Sequence, residues 1–272
     1  MKMLAKVIGK GRPLVLVPGG LTGWLSWEPH AERLSADRKV VRVQLLNVQW
    51  GLEGEQLLPN YSVKMESQSL AETLSELGFK RPIDIAAWSY GALVTLDYAL
   101  DHPDTIRTLT LIEPPAFWVL RATMGLDAEA QQHVATLEKI HGDITEDQLE
   151  QFASAVGLCP PGQSCREIPQ WPLWLVYRQS LRSNPAAVSH NDDISRLRGF
   201  KRPVLLVRGT GSAQFLHQII HGLATQFPQA RVVEMPAGHA PHIVSRDRFL
   251  AELASFQEHS RSVKVRGRGS PK

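Results

Sequence analysis

The run from Ile83 to Val94, IDIAAWSYGALV, constrains this chain more than any other stretch. An apolar segment with β-branched residues stops at Ser89. A small-residue pattern then opens into helix-like sequence that ends near Leu100. The order is strand, very tight turn, helix, with one hydroxyl at the apex. The spacing Ala87-x-Ser89-x-Gly91 is a variant of G-x-S-x-G, a turn so sharp that the serine Oγ is exposed at strained backbone angles. Small residues flank the serine because strand and helix backbones nearly touch there, and alanine in the first glycine's place adds one methyl. A strand-to-helix connection that merely contains a serine reads the same way locally, so the context decides.

That context repeats along the chain. Arg12 to Val17 (RPLVLV) is a continuous apolar run, as in a parallel-sheet strand buried on both faces. It feeds Pro18-Gly19-Gly20-Leu21-Thr22-Gly23, where glycines let backbone N–H groups face a cleft. Lys39 to Leu46, Ile83 to Trp88, Arg107 to Ile112, Pro203 to Val207 and Ala230 to Met235 read as further strands, and 47–61 as a long loop. Helical spacing covers Ser62 to Leu77, with Ser62 as cap and Gly78 as stop. Strands alternating with helices predict an α/β fold with a doubly wound, mostly parallel sheet. From Ala116 to Leu197 the strands cease and helical periods alternate with Pro/Gly breaks, which predicts a helical cap insertion. The expected division is a core of 1–115 and 198–259, a cap of 116–197 and a disordered basic tail of 260–272.

Composition narrows the class. With 272 residues, 43% hydrophobic and 21% charged, the chain suits one large domain with an insertion. The net charge of +3 comes partly from Arg261, Lys264, Arg266, Arg268 and Lys272 near the C-terminus, and basic residues elsewhere are interspersed with acids. No nucleic-acid partner is expected. Met1 to Gly11 is too short and charged for a signal peptide, and no run reaches transmembrane length, so a cytoplasmic protein with no membrane partner is expected. Cys159 and Cys165 bracket a short loop; a cytosolic setting predicts a reduced pair. Two cysteines without an adjacent histidine make a poor zinc site, and there is no P-loop. No metal or cofactor is expected.

In open sheets of this kind the ligand site lies beyond the carboxyl ends of the strands. The glycine loop, Ser89, Glu113, the 208–212 loop and the His239 loop all follow strand ends. With LVLVPGG, AWSYGALVTLDYAL, HPDTIRTLTLIEPP, PVLLVRGTG and MPAGHAPH in this order, the chain from Pro13 to about Phe256 resembles the α/β-hydrolases.

The resemblance implies a serine hydrolase with a catalytic triad, acting on a small-molecule carboxylic ester or lactone through an acyl-enzyme. Ser89 is then the nucleophile, His239 the general base, and the backbone N–H of Tyr90 one oxyanion-hole donor. The second donor is Gly20, or its neighbour Leu21. The family usually places the acid after the strand PVLLV, where this chain has Arg208-Gly209-Thr210-Gly211-Ser212 and no carboxylate. Some members carry it one strand earlier, which here is Glu113; a carboxylate there also reads as a cap on the turn before Pro114. Asp192 and Asp193 come third. His242 rivals His239. Leu21, Trp88, Trp171 and Trp174 are candidate substrate-pocket residues, with core packing as the alternative for the tryptophans. C–C bond hydrolysis or perhydrolysis at the same site, and a non-catalytic binding protein on the same fold, remain open at this point.

Overall fold

The computed structural model describes residues 1–160 and 162–266, without the side chains of 261–266. The apolar runs form the strands they promise. β1 (Leu4–Ile8), β2 (Arg12–Val17), β3 (Arg38–Gln44), β4 (Ile83–Trp88), β5 (Ile106–Ile112), β6 (Val204–Gly209) and β7 (Ala230–Met235) make one sheet in the order β1-β3-β2-β4-β5-β6-β7. All neighbours are parallel except β1 and β3. β4 lies at its centre and is buried along its whole length, so its IDIAAW sequence never alternates. The chain reverses its winding between β2 and β4. The loops after these two strands therefore flank one crevice, the place where such sheets bind ligands.

Helices cover both faces. α1 (Glu28–Leu34), α2 (Leu46–Glu53), α3 (Val63–Glu76) and α4 (Ser89–Asp101) connect the first five strands. Six helices lie between β5 and β6: α5 (Phe117–Thr123), α6 (Ala128–Glu138), α7 (Glu146–Ala155), α8 (Trp171–Tyr177), α9 (Asn184–Ser189) and α10 (Ser195–Gly199). No strand occurs in that stretch among the described residues. α11 (Gln214–Gln226), α12 (Pro241–Val244) and α13 (Arg246–Arg266) complete the fold. One apolar cluster joins the α3, α4 and α11 face to the six-helix segment, and a second packs Trp27, Phe249, Leu253 and Phe256 against the other face.

Four expectations change. β1 is a strand because it pairs with β3; LAKVI is mostly exposed, so its sequence carries no buried run. The loop expected at 47–61 starts inside α2, whose buried Leu46, Asn47, Val48 and Trp50 follow no polar–apolar period. The tail expected from 260 is helical up to Arg266, since no glycine or proline intervenes before Gly267; 267–272 lie outside the described residues. Cys159 and Cys165 are joined in a disulfide, with Cα atoms 5.5 Å apart, instead of forming a reduced pair.

Candidate active site

The turn after β4 is as tight as its sequence requires. Ser89 has a φ of 53°, in the left-handed region that L-residues avoid. A side chain at Gly91 would put its Cβ 2.0 Å from the Pro18 carbonyl oxygen, so only glycine fits there. Ala87 is fully buried, and its methyl is accommodated two residues before the serine. Ser89 itself stays half-buried at the carboxyl edge of the sheet.

Two more loops converge on it. His239, in the loop after β7, places Nε2 2.8 Å from Ser89 Oγ. Its Nδ1 lies 2.7 Å from Glu113 Oε2, directly after β5. Glu113 is completely buried and has the other positive φ outside glycine among the described residues, 45°. Its second oxygen, Oε1, accepts a hydrogen bond from Gly209 N at 2.7 Å. The loop after β6 thus contributes a backbone donor that seats the carboxylate carried by β5. The carboxylate can only accept, so His239 carries its proton on Nδ1 and turns the Nε2 lone pair toward the serine hydroxyl. The histidine backbone is fixed as well. Its N–H donates to Gly157 O at 2.9 Å, and its carbonyl accepts from Trp88 Nε1 at 2.7 Å.

Gly20 and Tyr90 line the same small cavity as Ser89 and His239, about 30 Å³ in volume, enough for roughly two waters. The rest of its wall is mostly apolar, including Pro115, Phe117, Leu137, Phe152 and Phe215. Behind Gly20 and Tyr90 lies a buried polar cluster that pattern reading missed. Glu66 is fully buried and accepts from Leu46 N (3.0 Å), Asn47 N (2.9 Å) and Tyr61 Oη (2.7 Å). Tyr61 Oη lies 2.8 Å from Tyr90 Oη. Burial raises the Glu66 pKa above the usual carboxylate value although these donors oppose the shift; burial first, then the charge of Glu66, lifts both phenols well above theirs. Asn47 Nδ2 donates to Gly20 O and Ser180 O, each at 2.9 Å, and lies 3.1 Å from Ser183 Oγ. The one signal in the sequence was Glu66, which falls between Val63 and Leu70 on the apolar stripe of α3.

The rivals lie elsewhere. Asp192 pairs with Arg196, and Asp193 bonds Ser195 in the same turn, both away from Ser89. His242 is fully buried between Trp27 and Trp88, with ring centroids 4.5 and 4.8 Å away, and neither ring nitrogen has a hydrogen-bond partner among the described residues. The four expected pocket residues do not line the cavity at Ser89. Leu21, Trp88 and Trp174 line a separate cleft of about 230 Å³. Trp171 lines neither and is buried in the core.

A serine, an imidazole and a carboxylate in hydrogen-bonded sequence, on loops at the carboxyl edge of a doubly wound sheet, form the constellation of a hydrolase. The chain belongs to the alpha/beta hydrolase family, whose model matches residues 14–253. It is 26% identical over 263 residues to a pimeloyl-[acyl-carrier protein] methyl ester esterase of Aliivibrio salmonicida, covering 91% of this chain and 93% of the relative. A 2-hydroxy-6-oxo-2,4-heptadienoate hydrolase of Pseudomonas putida is 31% identical over 124 residues, 44% of each chain. Among solved structures, a hydrolase from Pseudomonas aeruginosa superposes with a TM-score of 0.73 at 21% identity, covering 93% of both chains. That likeness is one of fold.

Proposed function

We propose that this chain hydrolyses a small carboxylic ester or lactone through an acyl-enzyme on Ser89. The observation that carries the reading is the unbroken relay from Ser89 Oγ to His239 at 2.8 Å and on to Glu113 at 2.7 Å. A serine hydroxyl is a poor nucleophile at neutral pH and needs a base to take its proton as it attacks. His239 takes that proton, Glu113 holds the imidazole in the productive tautomer and stabilises the imidazolium, and His239 returns the proton to the leaving alkoxide. The N–H groups of Gly20 and Tyr90 stabilise the oxyanion; losing one such donor typically costs on the order of 10²–10³ in rate. Water then repeats the sequence against the acyl-enzyme.

The small, largely apolar cavity supports a short, uncharged group on one side of the scissile bond. The division into a core of 1–115 and 198–259 with a cap of 116–197 belongs to this proposal, supported by the strand-free run of helices between β5 and β6. So does a small-molecule substrate. No described helix is long and apolar enough to cross a membrane. A cytoplasmic location is the remaining part, and the disulfide, a bond that persists in oxidising compartments, weighs against it; cell fractionation decides.

A second reading, C–C bond hydrolysis, is favoured by the partial match to the P. putida hydrolase. The non-catalytic reading rested on the carboxylate missing after β6, and Glu113 supplies one. Fluorophosphonate labelling with intact-mass detection tests the first reading. One adduct is expected on the wild type and none on Ser89→Ala. Absence of an adduct on folded wild type refutes it, and turnover of vinylogous 1,5-diketones with none of esters would favour the second.

A further inference from the structure

We propose that Asn47 is the positioning residue of the oxyanion loop, holding Gly20 in register with Ser89 through its side-chain amide; this rests on the serine-hydrolase reading above. Asn47 is completely buried at the start of α2 and touches neither Ser89 nor His239 by a hydrogen bond. Its amide orientation follows from chemistry. Two carbonyl oxygens, Gly20 O and Ser180 O, lie 2.9 Å from Nδ2, and an amide oxygen in that place would repel both. Ser183 Oγ lies 3.1 Å from Nδ2 as well, so two N–H groups serve three acceptors, while Oδ1 has no hydrogen-bond partner among the described residues. The next carbonyl of the loop, Leu21 O, lies 3.0 Å from Ser180 Oγ, whose single proton it shares with Tyr177 O at 2.5 Å. The Gly20 carbonyl is thus drawn toward α2 by an amide donor, and the Leu21 carbonyl has only a shared hydroxyl beside it.

A glycine turn needs such support. Gly19 and Gly20 have no Cβ to restrict their backbone, so the chain alone does not fix where the Gly20 N–H points. An oxyanion donor is useful only when it is aimed before the charge develops. A displacement of about 1 Å costs on the order of 10² in rate. Asn47 is fixed in turn, because its own N–H and that of Leu46 donate to the buried Glu66. The phenol chain from Glu66 through Tyr61 ends on Tyr90, the residue assigned the other donor. One buried carboxylate therefore anchors supports that lead to both arms of the oxyanion hole.

The test compares wild type, Asn47→Asp, Asn47→Ala and Ser180→Ala. Asn47→Asp keeps the shape but replaces the donor with an oxygen facing two carbonyls. The probes are p-nitrophenyl acetate turnover, the inhibition constant of trifluoroacetophenone, which forms a tetrahedral adduct on an activated serine, and the rate of fluorophosphonate labelling. For Asn47→Asp, kcat is expected to fall 10- to 100-fold with KM within twofold. The trifluoroacetophenone inhibition constant should rise, and labelling should slow, by the same factor. Asn47→Ala should lie between it and wild type. Asn47→Ala introduces no charge and keeps the test open if Asn47→Asp does not fold; Ser180→Ala, whose hydroxyl is shared with Tyr177 O, should lose less than either. A lower Tm with unchanged kcat and labelling would overturn the proposal, as would a raised KM with unchanged kcat. Wild type that neither turns over nor labels overturns the hydrolase reading instead, and the positioning role with it.

Discussion

Glu113→Gln isolates the carboxylate without changing its shape. Glu113 uses both oxygens, one toward His239 Nδ1 and one toward Gly209 N, each at 2.7 Å and fully buried. A glutamine has one acceptor and one donor for these two sites. If its oxygen keeps Gly209, its NH₂ faces Nδ1, which must then accept. The imidazole proton moves to Nε2, pointing at Ser89, and the base is lost. If the amide is reversed, the buried Gly209 N–H is left unpaired at a cost of about 1–3 kcal/mol. Both arrangements penalise the productive tautomer. Substituting an amide for the acid of such a triad lowers kcat by about 10⁴, which corresponds to roughly 5.5 kcal/mol of barrier. Initial rates on the best ester, with Ser89→Ala as baseline, should show this loss in kcat with KM within threefold. Glu113→Asp, shorter by one methylene, should retain more activity than the amide. A Glu113→Gln rate within tenfold of wild type would refute the assignment of the acid.

Other outcomes follow from burial and backbone fit. Burial lowers the His30 pKa to about 4, with Arg246 adding to the shift and the bond to His242 O opposing it. Between pH 6.5 and 4 the unfolded chain therefore binds this proton more readily, so stability is full above 6.5 and falls toward pH 4, by roughly 3 kcal/mol for this group. Denaturant titrations should show the fall, flattened in His30→Gln; equal slopes for both would refute it. Replacing Cys159 and Cys165 by serine removes a bridge across six residues and should cost about 2 kcal/mol, lowering Tm by several degrees; an unchanged Tm under reductant would count against it. Gly91→Ala, with its Cβ 2.0 Å from Pro18 O, should lose more than about 3 kcal/mol or yield no soluble protein, as thermal melts would show.

The parts of the fold that depend on continuous burial were legible in the sequence. RPLVLV and IDIAAW read as central strands because both faces are covered, and the sharp turn at Ser89 was visible because Gly91 is a steric necessity. β1 was not legible, since an edge strand held by backbone pairing has no required side-chain pattern. Ser89, His239 and Glu113 were legible as residues after strand ends. That Glu113 is seated by Gly209 N was not, because the partner is a backbone group 96 positions away. Trp88 and Leu21 adjoin site residues in sequence but line the separate cleft, because adjacency along the chain does not fix which side of a loop a side chain takes. The Glu66–Asn47 cluster was hidden because buried polar residues satisfied by distant partners look like surface residues in a pattern.

The bond from His239 N to Gly157 O ties the histidine loop to the six-helix segment, just beyond the end of α7. Gly157 and Gly238 approach so closely that a Cβ on Gly238 would lie 2.2 Å from that same oxygen. The segment is therefore not an interchangeable module. A chimera that swapped it for a foreign helical unit would change the backbone seat of His239 along with the wall of the cavity at Ser89. Leu137 and Leu181, which line the cavity at Ser89 from other helical turns, can change volume without altering the Gly157 carbonyl directly.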